Sequence, residues 1–192
     1  MLTQLLTVKA RLGIAGADTT HDATLTALIE SVSARFDREC RRTLARTVDT
    51  TQEFRADECM LILACYPLEE VSQWELKSNE AEGWLPETPE FLIRRNSILN
   101  LPEPLGNIYQ LGRVTYTGGY VLPGTTPQPG QFALPKDLEG AATDQVVAWF
   151  QNREKLGLIR HWPNAGTYLV LSQAPLLTSV QAVLRRHERW AC

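Results

Sequence analysis

The chain has 192 residues, 44% hydrophobic and 21% charged, with a net charge of −3. This is the balance of a soluble globular chain with a substantial core, long enough for one domain with excursions. It excludes a global electrostatic pull towards nucleic acid.

Four cysteines, Cys40, Cys59, Cys65 and Cys192, form no Cys-x-x-Cys pair, and no histidine stands at ligand spacing. They read as free, mostly buried thiols of a reducing compartment rather than zinc ligands. Two long uncharged runs, Val114 to Pro135 and Trp162 to Leu184, have bilayer length. The first is broken by Pro123, Pro127, Pro129 and several glycines, and the second carries Asn164, Ser172, Gln173 and Gln181. Neither keeps a backbone satisfied in lipid. Lys9 and Arg11 interrupt the apolar start, so no signal peptide is expected. The expectation is a soluble protein, intracellular when made, with no membrane partner.

Residues 3–12 predict a short helix, with Leu5, Leu6, Val8 and Leu12 apolar and Lys9 and Arg11 outside. Gly13 and Gly16 end it. Residues 22–42 predict a longer helix, in which Leu25, Leu28, Ile29, Val32 and Phe36 form one apolar stripe. Its end is basic, with Arg35, Arg38, Arg41, Arg42 and Arg46 against Asp37 and Glu39. Cations at a helix C-terminus meet the negative end of the macrodipole, so a solvated helix end is the first reading of this cluster.

From about 47 to 120 the period changes. Residues 47–54 alternate weakly, and Met60 to Ala64 is a continuous apolar run. Val71 to Leu76 alternates around Trp74, Phe91 to Ile93 is short, and Gly112 to Thr117 closes the series. Prolines 67, 86, 89, 102 and 104, with Asn96 and Gly106, punctuate them. This spacing predicts antiparallel hairpins rather than βαβ units. Between Glu69 and Glu103 eight acids face three bases, so one rim is negative.

After an uncharged Pro/Gly loop, residues 135–156 predict a third helix with Leu138, Ala142, Val146, Trp149 and Phe150 on its apolar face. Pro135 suits its first turn, Asp137 and Glu139 its positive end, and Gly157 a cap. Residues 158–174 read as irregular, with one strand-like run at Tyr168 to Leu171. A last helix over 175–190 aligns Leu176, Leu177, Val180 and Leu184 and ends in Arg185, Arg186, Arg189 and Trp190. The fold class expected is α+β, a single domain over 1–192 with a mainly helical core of about four helices and an inserted antiparallel β region.

No phosphate-binding glycine loop, nucleophile elbow or zinc helix is present. His21, His161 and His187 are isolated, and Glu69-Glu70 and Glu80/Glu82 read as solvated turn charges. Gly118-Gly119 reads as a positive-φ turn or bulge rather than an anion cradle. Trp149 and Trp74 suit a core. Trp84, Trp162 and Trp190 sit beside Pro, Gly or Arg, the composition of a protein interface. No catalytic residue, cofactor or metal is expected.

Three blocks together resemble the head–tail connector (adaptor, or head-completion) proteins of long-tailed bacteriophages. The first is a short helix, a Gly/Asp break and a Leu-x-x-Leu-Ile helix, from Leu5 to Phe36. The second is Val114-Thr-Tyr-Thr-Gly-Gly-Tyr120 followed by Leu134-Pro135-x-Asp-Leu138. The third is the closing Val183-Leu-Arg-Arg-His-Glu-Arg-Trp190. Residues 55–110 depart from the family, being longer and richer in Pro and Glu.

The resemblance implies a virion protein without enzyme activity or cofactor, made in the host cytoplasm and placed at the head–tail junction. It implies a ring of about a dozen subunits that docks on the portal, presents its other face to a tail or stopper protein, and lets genomic DNA pass. A ring contact is heterologous, so each subunit needs two complementary surfaces. Arg38, Arg41 and Arg42 against the acidic 69–103 region are candidates, and the helix with Arg185, Arg186, Arg189 and Trp190 is the candidate for portal docking. Trp162 joins them as an interface aromatic, and for a connector the uncharged loop from Val121 to Ala133 is the contact surface expected first, ahead of any catalytic residue. A tail-completion or terminator ring protein is one alternative, and a DNA-binding packaging or regulatory protein another. An enzyme built from scattered acids ranks last.

Overall fold

The computed structural model describes residues 1–153 and 176–189. It divides into two compact units, Met1–Cys40 with Leu134–Glu188, and Arg41–Ala133 with Arg189–Cys192.

The first unit is helical: α1 (Leu5–Leu12), α2 (Asp22–Cys40), α3 (Lys136–Gln151) and α4 (Thr178–His187). α1 stops at Gly13, whose φ of +71° lets the chain turn left-handed while its N–H bonds the Ala10 carbonyl. The α2 stripe is as expected: Leu25, Ile29, Val32, Phe36 and Cys40 are buried. They meet Leu138, Ala142, Val146 and Phe150 of α3 and Val180 and Leu184 of α4 in the core of this unit. Trp149 is only half-buried.

Polar side chains tie the helices where no periodicity announces them. Thr3 and Thr143 share a hydrogen bond of 2.8 Å, and Ser33 Oγ accepts the Leu2 N–H at 3.0 Å. Gln145, fully buried, accepts the Leu177 N–H at 2.8 Å and so satisfies a donor at the start of α4. Lys9, expected on the outside of α1, is 2% exposed. Its ammonium lies 2.5 Å from Asp22 and donates to the Gly16 carbonyl at 3.2 Å. A buried charge needs such partners, and they come from the turn beyond α1 and the first residue of α2.

The second unit corrects the expected fold class. The β region is not an excursion from a mainly helical core. Among the described residues it holds nine strands in three sheets around a core of its own. Strands β1 (Thr47–Arg55), β7 (Leu111–Gly118), β3 (Leu68–Lys77) and β4 (Trp84–Glu87) form an antiparallel sheet in the order β1-β7-β3-β4. Strands β2 (Met60–Ile62), β6 (Ile98–Asn100) and β5 (Leu92–Arg94) form a second one, β2-β6-β5. A parallel pair, β8 (Tyr120–Val121) with β9 (Phe132–Ala133), closes the uncharged loop into a compact Ω-shaped excursion.

Phe54, Trp74, Val114 and Tyr116 from the first sheet and Leu61 and Leu99 from the second share that core. Each such side chain contributes about 1.5–3 kcal/mol on burial, so this unit is not an appendage. The helical stripes dominate a periodicity reading because they run over many turns. Strands of three residues leave no period to detect. β4 was hidden for another reason: Pro86 suits only an edge strand, and β4 is that edge, with Pro86 opposite Glu75.

Candidate interaction surfaces

The Gly118-Gly119 block is a structural joint. Gly119 has φ +100°, and a Cβ there would lie 2.6 Å from the Ala45 carbonyl oxygen. A Cβ on Gly118 would meet the Cys65 and Pro67 carbonyl oxygens at 2.9 Å. The Gly119 N–H bonds Pro67 and the Tyr120 N–H bonds Leu44, each at 2.8 Å. These donors are consumed, so the turn reading holds over the anion cradle.

Beside it lies a polar cluster around the buried Tyr116. Tyr116, 0% exposed, accepts the Ala64 and Cys65 N–H groups at 3.1 Å each and donates to Gln52 Oε1 at 3.2 Å. Burial pushes its phenol above the ordinary value, and the backbone bonds from Cys65 and Ala64 only partly oppose this. Tyr116→Phe is expected to cost about 1–3 kcal/mol, because the buried Cys65 N–H loses the phenol oxygen that accepts it. The sign of the pH effect is fixed. A phenol with a raised folded value holds its proton longer when folded, so its stabilisation is present below about pH 10 and lost as pH rises through the folded value. Alkaline denaturation curves test this: wild type should lose stability above pH 10 more steeply than Tyr116→Phe.

The arginines singled out by sequence separate. Arg38 and Arg41 are exposed, and Arg41 sits at φ +52° just beyond α2. Arg42 is 5% exposed, its guanidinium 3.5 Å from the centroid of Tyr66 and 5.2 Å from that of Tyr120. Two ring faces stabilise a cation that has left water, and the charge points inward rather than at a partner. Arg46, at the same basic end, makes a two-pronged pair with Glu69 at 2.7 and 2.9 Å, and this bond holds its proton more tightly. Glu69 is thus a paired strand residue rather than a solvated turn charge.

On α4, Arg185 and Arg186 are exposed, while His187 bonds Asp137 at 2.9 Å. Burial raises the Asp137 value, but the hydrogen bond and charge of His187 outweigh it and leave the carboxyl below its ordinary range. Arg189 is half-buried and donates to the Ile62 carbonyl. It borders an open cleft of about 520 Å³ with Arg41, Arg55, Glu53 and Glu58 on its rim. That lining carries no paired nucleophile and base, and its charges are mixed. Trp162 and Trp190 lie outside the described residues.

Two features were missed in the sequence. The loop before β7 presents Tyr109, 88% exposed, and Ile108, 57% exposed. Asn107 and Gln110 side chains bond the backbone of that loop and fix it. The β5–β6 hairpin turns through Arg95 and Asn96, at φ +53° and +50°. The sequence placed a turn at Asn96 but missed β6 beyond it; with Arg94 opposite Ile98, Arg95, Asn96 and Ser97 form a three-residue loop whose first two residues are left-handed. Trp84, read as a loop residue, lies on β4 beneath the Arg113 guanidinium, 4.3 Å from its ring centroid.

Among the described residues no group of three or more His, Cys, Asp or Glu side chains converges as a metal set, and no helix is long and apolar enough to cross a membrane. No protein-family model matches the chain, and no curated protein matches it in sequence. Solved structures do match in fold. A chain in the neck of an empty gene transfer agent (GTA) particle, computed with C6 symmetry, superposes with a TM-score of 0.58 at 14% identity, covering 96% of this chain and 88% of that one. A chain of the native GTA virion gives 0.58 at 16% identity, over 97% and 89%. A third, in the native GTA neck computed with C12 symmetry, gives 0.53 at 15% identity, over 88% and 84%. The chain shares its fold with these chains of the GTA neck and virion.

Proposed function

We propose that this chain is a structural subunit of the head–tail junction, assembling into a ring that joins the portal of a phage-like head to its tail and leaves an axial path for DNA. The observation that carries the reading is the fold match to a GTA neck chain, over 96% of this chain and 88% of that one, joined by a match to a GTA virion chain over 97% and 89%. The C6 and C12 symmetries of those necks fit the ring of about a dozen subunits that the connector resemblance implies. The exposed last turn of α4, with Arg185 and Arg186, is the surface assigned to portal. Arg38 and Arg41 remain candidates for subunit contact, and Arg42 acts on them only by holding the chain beyond α2 in place. The face away from portal receives a tail or stopper protein.

Negative-stain imaging of the purified protein, alone and mixed with portal, tests this. Rings with an axial hole support it. A protein that forms no ring in either condition overturns it.

A further inference from the structure

The β5–β6 hairpin carries opposite surfaces at its two ends. At its base, the segments entering β5 and leaving β6 enclose two adjoining openings of about 540 and 460 Å³, which share Pro89, Glu90 and Pro102. Phe91, Leu92, Leu101 and Leu105 supply apolar lining, and Glu87, Glu90 and Glu103 stand on the rim. Prolines fix the walls, so the cleft needs little ordering to receive a partner. Leu92 is 72% exposed and Ile93 49%, on a strand whose outer edge is unpaired. At the hairpin's other end, Arg94 and Arg95 are exposed. No ion pair joins any of these five charged side chains to another described residue.

Two further facts bear on the tip. At about 3.3 Å per extended residue, the run from Glu90 to Arg95 spans roughly 16 Å, so the tip cannot fold back into its own cleft. Arg95 also holds a left-handed backbone at φ +53°, a conformation that strains a residue with a Cβ and that glycine adopts freely. A long cation therefore occupies a position whose backbone suits glycine. The Asn96 carbonyl accepts the Leu68 N–H at 2.7 Å and the Ser97 carbonyl accepts the Leu63 N–H at 2.9 Å, which holds the tip in a fixed orientation.

We propose that the hairpin is the ring contact: the Ile93-Arg94-Arg95 tip of one copy enters the carboxylate-rimmed apolar cleft of the next. The occupant is a second copy because the two surfaces are complementary in charge, both are otherwise unpaired, and they lie at opposite ends of one rigid element. That is the head-to-tail relation from which a closed ring is built. The inference rests on the ring reading above and names its contact. Arginine anchors over an apolar floor with acidic rims are the composition of interface hot spots, and opposed potentials also exclude wrong registers.

Sedimentation and mass measurement of four chains test the proposal. Wild type should associate into rings, more weakly as salt rises. Arg94→Glu/Arg95→Glu and Glu90→Arg/Glu103→Arg should each weaken association at least tenfold while remaining folded. Mixed together, the two reversed chains should assemble again, because each tip now matches the other's cleft, and the rings should alternate and contain an even number of subunits. Arg95→Gly, which relieves the backbone, should raise thermal stability yet weaken association. Rings from both reversed chains as readily as from wild type would overturn the hairpin contact and leave the ring reading intact. Absence of association in wild type both alone and with portal present would overturn both.

Discussion

Gly119→Ala is expected to destabilise the protein by about 3–5 kcal/mol. Two costs combine. The backbone at φ +100° is one that residues with a Cβ rarely adopt, and the new methyl would stand 2.6 Å from a carbonyl oxygen that belongs to the main chain. Main chain cannot rotate aside as a side chain can. Relief would have to come from moving the Gly119–Pro67 and Tyr120–Leu44 hydrogen bonds that hold the end of β7. Gly130→Ala separates the two costs: its φ is +88°, but nothing lies within 4 Å of the added Cβ, so only strain of about 1 kcal/mol remains. Urea denaturation of both variants measures the difference. Equal losses would contradict the close approach described for Gly119.

Trp74→Ala is expected to cost about 3–5 kcal/mol, the range for an emptied large aromatic site. Trp74 is 4% exposed and packs edge-on to Phe54 at 5.9 Å and tilted to Phe91 at 5.5 Å between ring centroids. Its indole Nε1 is buried without a hydrogen-bond partner among the described residues. Trp74→Phe therefore keeps most of the packing and removes an unsatisfied donor, so it should cost less than half as much as the alanine. Thermal melts of the two variants check the ranking. A phenylalanine as damaging as alanine would mean that Nε1 has an acceptor after all.

The sequence reading located what periodicity and turn chemistry encode and missed what depends on distant partners. The α2 stripe, the glycine stop of α1 and the amphipathic α4 were legible, because their signals repeat along one segment. The balance between the units was not. Long helices write a period of 3.6 over many residues, whereas β2, β5 and β6 each offer three residues and no period. The burial of Lys9 depends on Asp22, and that of Arg42 on Tyr66 and Tyr120. A cation's own neighbours in sequence say nothing about such partners. The same limit applies to surfaces: Arg38 and Arg185 are exposed as a basic helix end suggests, but the placing of a basic tip and an acidic cleft at the two ends of one hairpin appears only once β5 and β6 are set side by side. The Gly-Gly-Tyr block, by contrast, was read correctly as a turn, since glycine's freedom is a local property.

The central claim is ring assembly, and the most direct measurement is the particle mass of the purified protein over a range of concentrations, with and without portal, paired with class averages of the same samples. The account predicts closed particles with an axial hole and a mass that is a whole multiple of the 21.6 kDa chain, at a six-fold or twelve-fold count. A protein that remains a monomer in the presence of portal, or that grows into open chains of indefinite mass, would contradict it.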